Sequence, residues 1–387
     1  MKRLTAAVLG FALVFSLLTG TARAVELDVA GKSALLMDVA TGTVLYEQNA
    51  HEKLAPASVT KVMTMLLIME AIDGGQIGWE DTVTASETAA AKGGSQIYLK
   101  VGETMSVSDM LKSITVSSAN DCACAMAEHI AGSEPAFVDK MNARAQELGM
   151  LDTHFVNCTG LDDGENAAEH RTSAYDIALM SGELMKHHPD IKKFTTIWMD
   201  TVRNGAFGLS NTNKLIRFYT GATGLKTGFT SAAGYCLSAT AEREGMELIA
   251  VVMGCESSQK RMAACKSMLD YGFANFAQIR PDLCDSPSQV PVTLGKSPAA
   301  QVKPVGDTEM LIDKAQRSSV TTEVTLEPSV TAPVSLGQRL GTMTVKSGEQ
   351  ILAEIPLVAS EAVERLTWGD LFLKIWGQAA MARKCFE

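Results

Sequence analysis

Three short motifs in this sequence have the residue types and the order of an acyl-transfer site. Ser58 and Lys61 stand three residues apart in the run Pro56-Ala57-Ser58-Val59-Thr60-Lys61. At the start of a helix that spacing puts both side chains on one face of the first turn. The hydroxyl then has an amine beside it to take its proton, which turns a weak nucleophile into a useful one. Ser118-Ala119-Asn120 follows, and then Lys226-Thr227-Gly228. Singly each motif is weak. A second Ser-x-x-Lys occurs at Ser257-Ser258-Gln259-Lys260, and a second Lys-(Ser/Thr)-Gly at Lys346-Ser347-Gly348. The first comes after the other two motifs, and the second falls in a stretch that reads as another domain. Order selects the set that begins at Ser58.

By spacing, Ser58 is the candidate nucleophile and Lys61 its base. The base must be neutral, so Lys61 needs a depressed pKa, which burial and the charge of Lys226 would both supply. Ser118 could relay a proton between Lys61 and a leaving amine. Asn120 could hold a substrate amide or the Lys61 amine. Lys226-Thr227-Gly228 is expected on a strand edge beside the nucleophile. There Gly228 would admit a substrate backbone, Lys226 would supply positive potential and Thr227 would bond a substrate carboxylate. Two backbone N–H groups would stabilise the tetrahedral oxyanion. Each of the two later motifs has a plainer reading, a helix-start cap for Ser118-Ala119-Asn120 and an ordinary strand edge for Lys226-Thr227-Gly228. As an ordered set they favour catalysis.

The elements that must position these residues are legible in outline. Ser33–Asp38 and Thr43–Tyr46 read as two strands around the turn Ala40-Thr41-Gly42. An apolar helix from about Ser58 to Ile72, stopped by Gly74-Gly75, is apolar on most faces and so should be central. Residues 106–131 read as helix broken at 117–120, and Phe137–Leu148 and Ala174–Lys186 as amphipathic helices. Residues 234–241 and 247–254 read as paired strands split by Arg243-Glu244-Gly245, with a helix from Lys260 to Phe273 after them. From Val290 to Val358 the chain is rich in Val, Thr, Pro and Ser in short alternating runs such as Val320–Leu326 and Arg339–Val345, which reads as a small all-β domain.

At 387 residues two domains are a fair expectation, and a hydrophobic fraction of 46% suits a globular protein with a sizeable core. Lys2 and Arg3 before the apolar run Leu4–Leu18, with Ala22-Arg23-Ala24 after it, read as a secretory signal peptide over residues 1–24. A retained anchor is the weaker option, because the run is short. Cleavage removes three cations and no acid from a net charge of −10, leaving −13. That balance argues against a nucleic-acid partner. Of eight cysteines, Cys122 and Cys124 sit in a stretch that reads as a buried helix, and no second Cys/His pair at ligand spacing supports a zinc site. His187-His188 reads as a solvated cap at a helix end. In the tail, Trp368, Leu371, Phe372, Ile375, Trp376 and Ala379 share one helical face, with Arg383 and Lys384 beyond. An amphipathic helix in a membrane interface is favoured over one that packs on its own protein.

The chain resembles the serine-type D-alanyl-D-alanine carboxypeptidases, the low-molecular-mass penicillin-binding proteins. The resemblance spans nearly the whole mature chain. It rests on Leu45-Tyr46-Glu47-Gln48-Asn49-Ala50, Pro56–Lys61, Ser118–Asp121, Thr159-Gly160-Leu161-Asp162, His170-Arg171-Thr172-Ser173-Ala174-Tyr175-Asp176 and Gly224–Thr230. It implies an α+β fold, a helix-flanked antiparallel sheet over residues 25–280. A small β-sandwich-like domain over 281–362 and a membrane-associating helix over 363–387 would follow. It implies removal of the terminal D-alanine from peptidoglycan pentapeptides through an acyl-enzyme on Ser58, acylation of that serine by β-lactams, and no metal or cofactor. It implies an exported protein at the outer face of the cytoplasmic membrane. It makes Arg261, in Gly254-Cys255-Glu256-Ser257-Ser258-Gln259-Lys260-Arg261, a helper in binding the substrate carboxylate, and gives the oxyanion N–H groups to Ser58 and Phe229. Cys122, Cys124, Cys158 and Cys255 depart from the family's usual residues and raise the question of thiol sensitivity.

Two other readings share some of these features. A β-lactamase would need a water-activating glutamate, but the segment after Asn120 where a Glu-x-x-Leu-Asn pattern belongs reads Thr153-His154-Phe155-Val156-Asn157. A catalytically dead wall-binding protein is at odds with intact Ser58, Lys61, Ser118, Asn120 and Lys226.

Overall fold

The computed structural model describes residue 27, residues 29–163, 166–283 and 286–373, and residue 376. The leader over residues 1–24, the tail positions Ile375, Ala379, Arg383 and Lys384, and Cys284 and Cys385 lie outside the described residues.

Strands β1 (Ser33–Asp38) and β2 (Val44–Gln48) form the expected hairpin. The expected helix at Ser58 starts differently. Residues Ala57–Thr60 make a 3₁₀ turn, and regular helix α1 runs from Lys61 to Asp73 and stops at Gly74. The reason is local: Ala57 has φ +48°, a left-handed conformation that no α-helical turn accepts, so the chain coils tightly before it straightens. Helix α1 is buried on almost every face and forms the centre of the larger core.

Helices α2 (Val107–Ser117) and α3 (Asn120–Ala131) are separated by Ser118 and Ala119, with Ser118 at φ +63°. That left-handed residue reverses the chain sharply enough to bring Ser118 and Asn120 to one corner. Helices α4 (Glu134–Glu147) and α5 (Ala174–His187) start at Ser133 and Ser173, whose hydroxyls accept from backbone N–H groups three residues on. At the end of α5, His188 departs from the expected solvated cap. His188 is buried and its Nδ1 lies 2.5 Å from Asp73 Oδ2, while His187 stays exposed.

Strands β3 (Ala222–Thr230), β4 (Gly234–Arg243) and β5 (Met246–Cys255) complete a five-stranded antiparallel sheet in the order β2-β1-β5-β4-β3. Strand β3, which carries Lys226, Thr227 and Gly228, is therefore an edge strand. Strand β5 shows why the sheet is covered on both sides. Ile249, Val251 and Met253 enter the core that holds α1, and Leu248, Ala250 and Val252 enter the core that holds helix α6 (Ser258–Asn275).

The C-terminal part is β-rich. Strands Val320–Leu326, Arg339–Ser347, Gln350–Ala359, Ala299–Pro304, Gln289–Thr293 and Val330–Thr331 form, in that order, one six-stranded sheet with its own core around Val290, Val302, Leu340, Met343 and Leu357. It meets the larger unit through Phe276–Ile279, which pairs with Met310–Asp313, and through Lys314 Nζ on the Phe273 carbonyl at 2.9 Å. Residues 368–373 are helical. Among the described residues no helix is long and apolar enough to cross a membrane.

Candidate active site

Ser58 lies in the 3₁₀ turn, partly open to solvent, and Lys61 begins α1 behind it. Lys61 is completely buried, with Nζ 3.0 Å from Ser58 Oγ and 2.8 Å from the Thr159 carbonyl that it bonds. A neutral amine has two N–H groups and one lone pair. With one N–H on Thr159, the lone pair can face the serine hydroxyl. Burial pushes the Lys61 pKa down to about 7, against the opposing influence of Cys158 and Asp121. The expected contribution of Lys226 falls elsewhere. Lys226 is itself buried and held well below its ordinary value, first by burial and then by the charges of Lys61 and Arg261.

The Thr159 carbonyl is held in place by Asn157. Asn157 Oδ1 accepts from the Thr159 and Gly160 N–H groups at 3.1 and 2.6 Å, and its amide donates to the Leu161 carbonyl at 2.9 Å. Gly160 has φ +82°, and a Cβ there would stand 1.9 Å from the Ala57 carbonyl oxygen. Only glycine lets this loop press against the turn that bears Ser58.

Ser118 and Asn120 line the corner between α2 and α3. Asn120 Nδ2 donates to the Gly93 carbonyl at 2.7 Å and its backbone N–H to Ser95 at 2.7 Å. Asp121 accepts from the Ile97 and Leu99 N–H groups at 3.1 and 3.0 Å, which straps residues 93–99 to the same corner. Among the described residues, Ser118 Oγ and Asn120 Oδ1 are buried polar atoms with no protein partner. Such atoms are costly in a core and are expected where a ligand binds.

Strand β3 supplies the opposite wall. Lys226 Nζ bonds the Thr227 carbonyl at 2.9 Å, and Thr227 Oγ1 donates to Thr212 Oγ1 at 2.7 Å. Gly228 also meets a constraint inside the protein: a Cβ on it would stand 2.7 Å from the Pro56 carbonyl oxygen and 3.1 Å from the Ser58 nitrogen, so one close neighbour is the turn that bears Ser58. Phe229, next along the strand, is half exposed and its ring lies 4.2 Å from that of Tyr235. Arg261 comes from α6. Its NH1 donates to the Gly228 and Cys236 carbonyls at 2.8 and 3.2 Å, and its guanidinium lies over Tyr235. It is buried and grips the backbone of the wall, with Nε lacking a partner among the described residues.

A hydroxyl paired with a low-pKa amine, unpartnered polar groups beside it and a cationic strand edge opposite make an acyl-transfer site. The sequence profile of the peptidase S11 family, D-alanyl-D-alanine carboxypeptidase, matches residues 20–257, and that of the penicillin-binding protein 5 C-terminal domain matches residues 285–365. The chain belongs to the serine-type D-alanyl-D-alanine carboxypeptidases of this family. It is 43% identical over 349 residues to the Bacillus subtilis carboxypeptidase DacF, covering 89% of this chain and 88% of that one. It is 33% identical over 363 residues to Escherichia coli DacA, covering 90% and 86%. Penicillin-binding protein 5 of Haemophilus influenzae superposes with a TM-score of 0.74 at 30% identity, over 87% of this chain and 98% of that one. Penicillin-binding protein D2 of Listeria monocytogenes, solved with ampicillin bound, superposes with a TM-score of 0.59 at 33% identity, over 64% and 100%. Membership of this cell-wall carboxypeptidase family implies an extracytoplasmic location.

Three parts of the site lie outside the three motifs: the Thr159 carbonyl, Thr212, and His170, whose Nε2 lies 2.7 Å from Thr60 Oγ1. Thr159 and His170 lie in segments that carry the family resemblance. Thr212 lies in none.

Proposed function

We propose that Ser58 is the nucleophile, Lys61 its base and Ser118 the proton relay of a carboxypeptidase that removes D-alanine from peptidoglycan pentapeptides. The observation that carries this is the buried Lys61 amine, 3.0 Å from Ser58 Oγ and with a pKa near 7. Ser58 Oγ attacks the carbonyl carbon between the two D-alanines while its proton passes to Lys61. The oxyanion takes the N–H groups of Ser58 and Phe229. As the C–N bond breaks, the proton returns through Ser118 to the leaving amine, and D-alanine departs. Water then hydrolyses the ester and frees the shortened peptide. Asn120 holds the substrate amide. Lys226 and, from behind the wall, Arg261 supply the positive field for the terminal carboxylate, Thr227 bonds it by turning its hydroxyl away from Thr212, and Gly228 admits the substrate backbone along the β3 edge. A β-lactam acylates the same serine, and its leaving group stays tethered, so the adduct persists.

The proposal extends to organisation. Residues 1–24 export the protein, 25–280 form the peptidase unit and 281–362 the β-rich unit. The tail expected as a helix over 363–387 starts its helix only at 368, because Val363 and Arg365 are bridged to Val334 and Gly295 in the β-rich unit, and the segment from 368 onward lies on the outer face of the cytoplasmic membrane. In its support, Trp368, Phe372, Leu373 and Trp376 are 89%, 64%, 70% and 67% exposed, a cost that an interfacial site for the tail would relieve.

The test is intact mass of the mature protein with excess penicillin, followed in time beside Ser58→Ala. A single long-lived adduct on wild type alone is expected. Labelling of a folded Ser58→Ala protein would sink the nucleophile assignment. An adduct that vanishes quickly with hydrolysis of the drug would point to a β-lactamase instead.

A further inference from the structure

We infer that His170 is a positioning residue for the reaction, setting the nucleophile turn and the lysine-holding loop in register through one neutral imidazole. The inference rests on the serine-acylation reading above.

His170 is buried and bonds Thr60, which precedes Lys61, on one side and Val156, in the loop that carries the Thr159 carbonyl, on the other, touching neither Ser58 nor the Lys61 amine. On one side, Val156 N–H donates to His170 Nδ1 at 3.1 Å. That makes Nδ1 the acceptor and puts the ring proton on Nε2. On the other side, Nε2 lies 2.7 Å from Thr60 Oγ1, so it donates there. The Thr60 hydroxyl is then left with one proton to give, and it gives it to the Ala57 carbonyl at 2.8 Å. The direction of every bond in this chain follows from the first.

The two ends are the two parts that the chemistry needs aligned. Ala57 immediately precedes Ser58 and sits at φ +48°, a conformation that an alanine holds only when its surroundings impose it. The Thr60 hydroxyl is one of those impositions. Val156 stands three residues before Thr159, whose carbonyl holds the Lys61 amine. Phe155 packs its ring edge-on to His170 with centroids 5.7 Å apart, and its own backbone is bonded by Asn142 at both N–H and carbonyl, so the imidazole cannot swing. Gly160 and Gly228 press on the turn from two sides, but neither has a side chain to aim it. His170 joins turn to loop by directed bonds.

The experiment measures the second-order rate constant for acylation by a fluorescent penicillin. It uses the full chain and normalises to the fraction of protein labelled at saturation. A purely structural role would lower that fraction and the melting temperature and leave the rate constant of the labelled fraction unchanged. His170→Phe keeps a ring and loses both bonds, and Thr60→Val keeps shape and loses the hydroxyl. Each is expected to slow acylation about 10- to 100-fold, the scale of a small misplacement of reacting groups. The double variant should be no slower than the slower single, because both break one chain. Thr60→Ser and His170→Gln, whose amide can donate to Thr60, should recover most of the rate. A folded His170→Phe protein that acylates within about twofold of wild type would overturn the inference, as would a double variant that multiplies the two losses. If His170→Phe does not fold, the Thr60→Val and Thr60→Ser pair decides, and equal rates for the two overturn it. Failure of the underlying reading would look different: wild type itself would take no label, or Ser58→Ala would take it.

Discussion

If Lys61 is the base, acylation must follow the titration of a lysine that is half neutral near pH 7. Taking pH from 8 to 5 lowers the neutral fraction from about 0.9 to about 0.01, so the acylation rate constant should fall about 90-fold, one decade per unit below 7. Above pH 8 it should be flat. An ordinary lysine would put the limb near its normal value of 10.5 and leave almost no base at pH 7. The same shift has a signature in stability. Unfolded Lys61 titrates near 10.5 and folded Lys61 near 7, so between those values the unfolded chain holds more protons and stability rises with pH. Below about 7 the penalty is full, about 5 kcal/mol from the displacement of the pKa. Lys61→Met, which carries no charge into the core, should therefore be inert yet more stable at pH 7, by about 1–3 kcal/mol after the lost hydrogen bonds are counted. The assays are penicillin acylation by stopped flow from pH 5 to 9 and denaturant unfolding at pH 6 and 9. A rate constant independent of pH between 5 and 8, or an unfolding free energy that falls from pH 6 to 9 in wild type but not in Lys61→Met, would refute the reasoning.

Gly160→Ala should lower stability by about 3 kcal/mol and slow acylation at least tenfold, because φ +82° is costly for alanine and its Cβ meets the Ala57 carbonyl. A variant with wild-type melting temperature and rate would show that the loop yields freely. In the native protein at pH 7.5 the six described cysteines are buried and should resist iodoacetamide, mapped by peptide mass. Burial raises the Cys122 and Cys265 thiols, and the hydrogen bond with Cys124 followed by burial raises Cys158. Alkylation of any of these faster than global unfolding would contradict that burial. Deleting residues 366–387 should move the protein from membrane pellet to supernatant, and identical partition of truncated and full-length chains would remove the tail as the anchor.

What the sequence determined by itself was whatever depends on neighbours along the chain. Ser58 and Lys61 share a helical turn because they are three residues apart. The β1–β2 hairpin follows from two short runs around the Ala40-Thr41-Gly42 turn, and α4 and α5 begin at serines that cap them. The apolar run on most faces of α1 announced a central helix, and the alternating Val and Thr runs announced the β-rich unit. Only the tertiary structure decided the energetics of the site. The Lys61 pKa falls to about 7 because the packed fold buries the amine, which it also sets on a carbonyl 98 residues away, and no local pattern encodes that loss of water. A Cβ at Gly228 is also excluded because the β3 edge closes on Pro56 and Ser58, a contact between segments about half the chain apart. Arg261 lies behind the wall, its guanidinium turned to two backbone carbonyls, because α6 packs on the opposite face of the sheet. The directed chain through His170 exists because a 3₁₀ turn, a loop and a buried ring arrive at one point. Hydrogen-bond direction and desolvation are properties of that meeting, and a sequence read along its length contains only the parts.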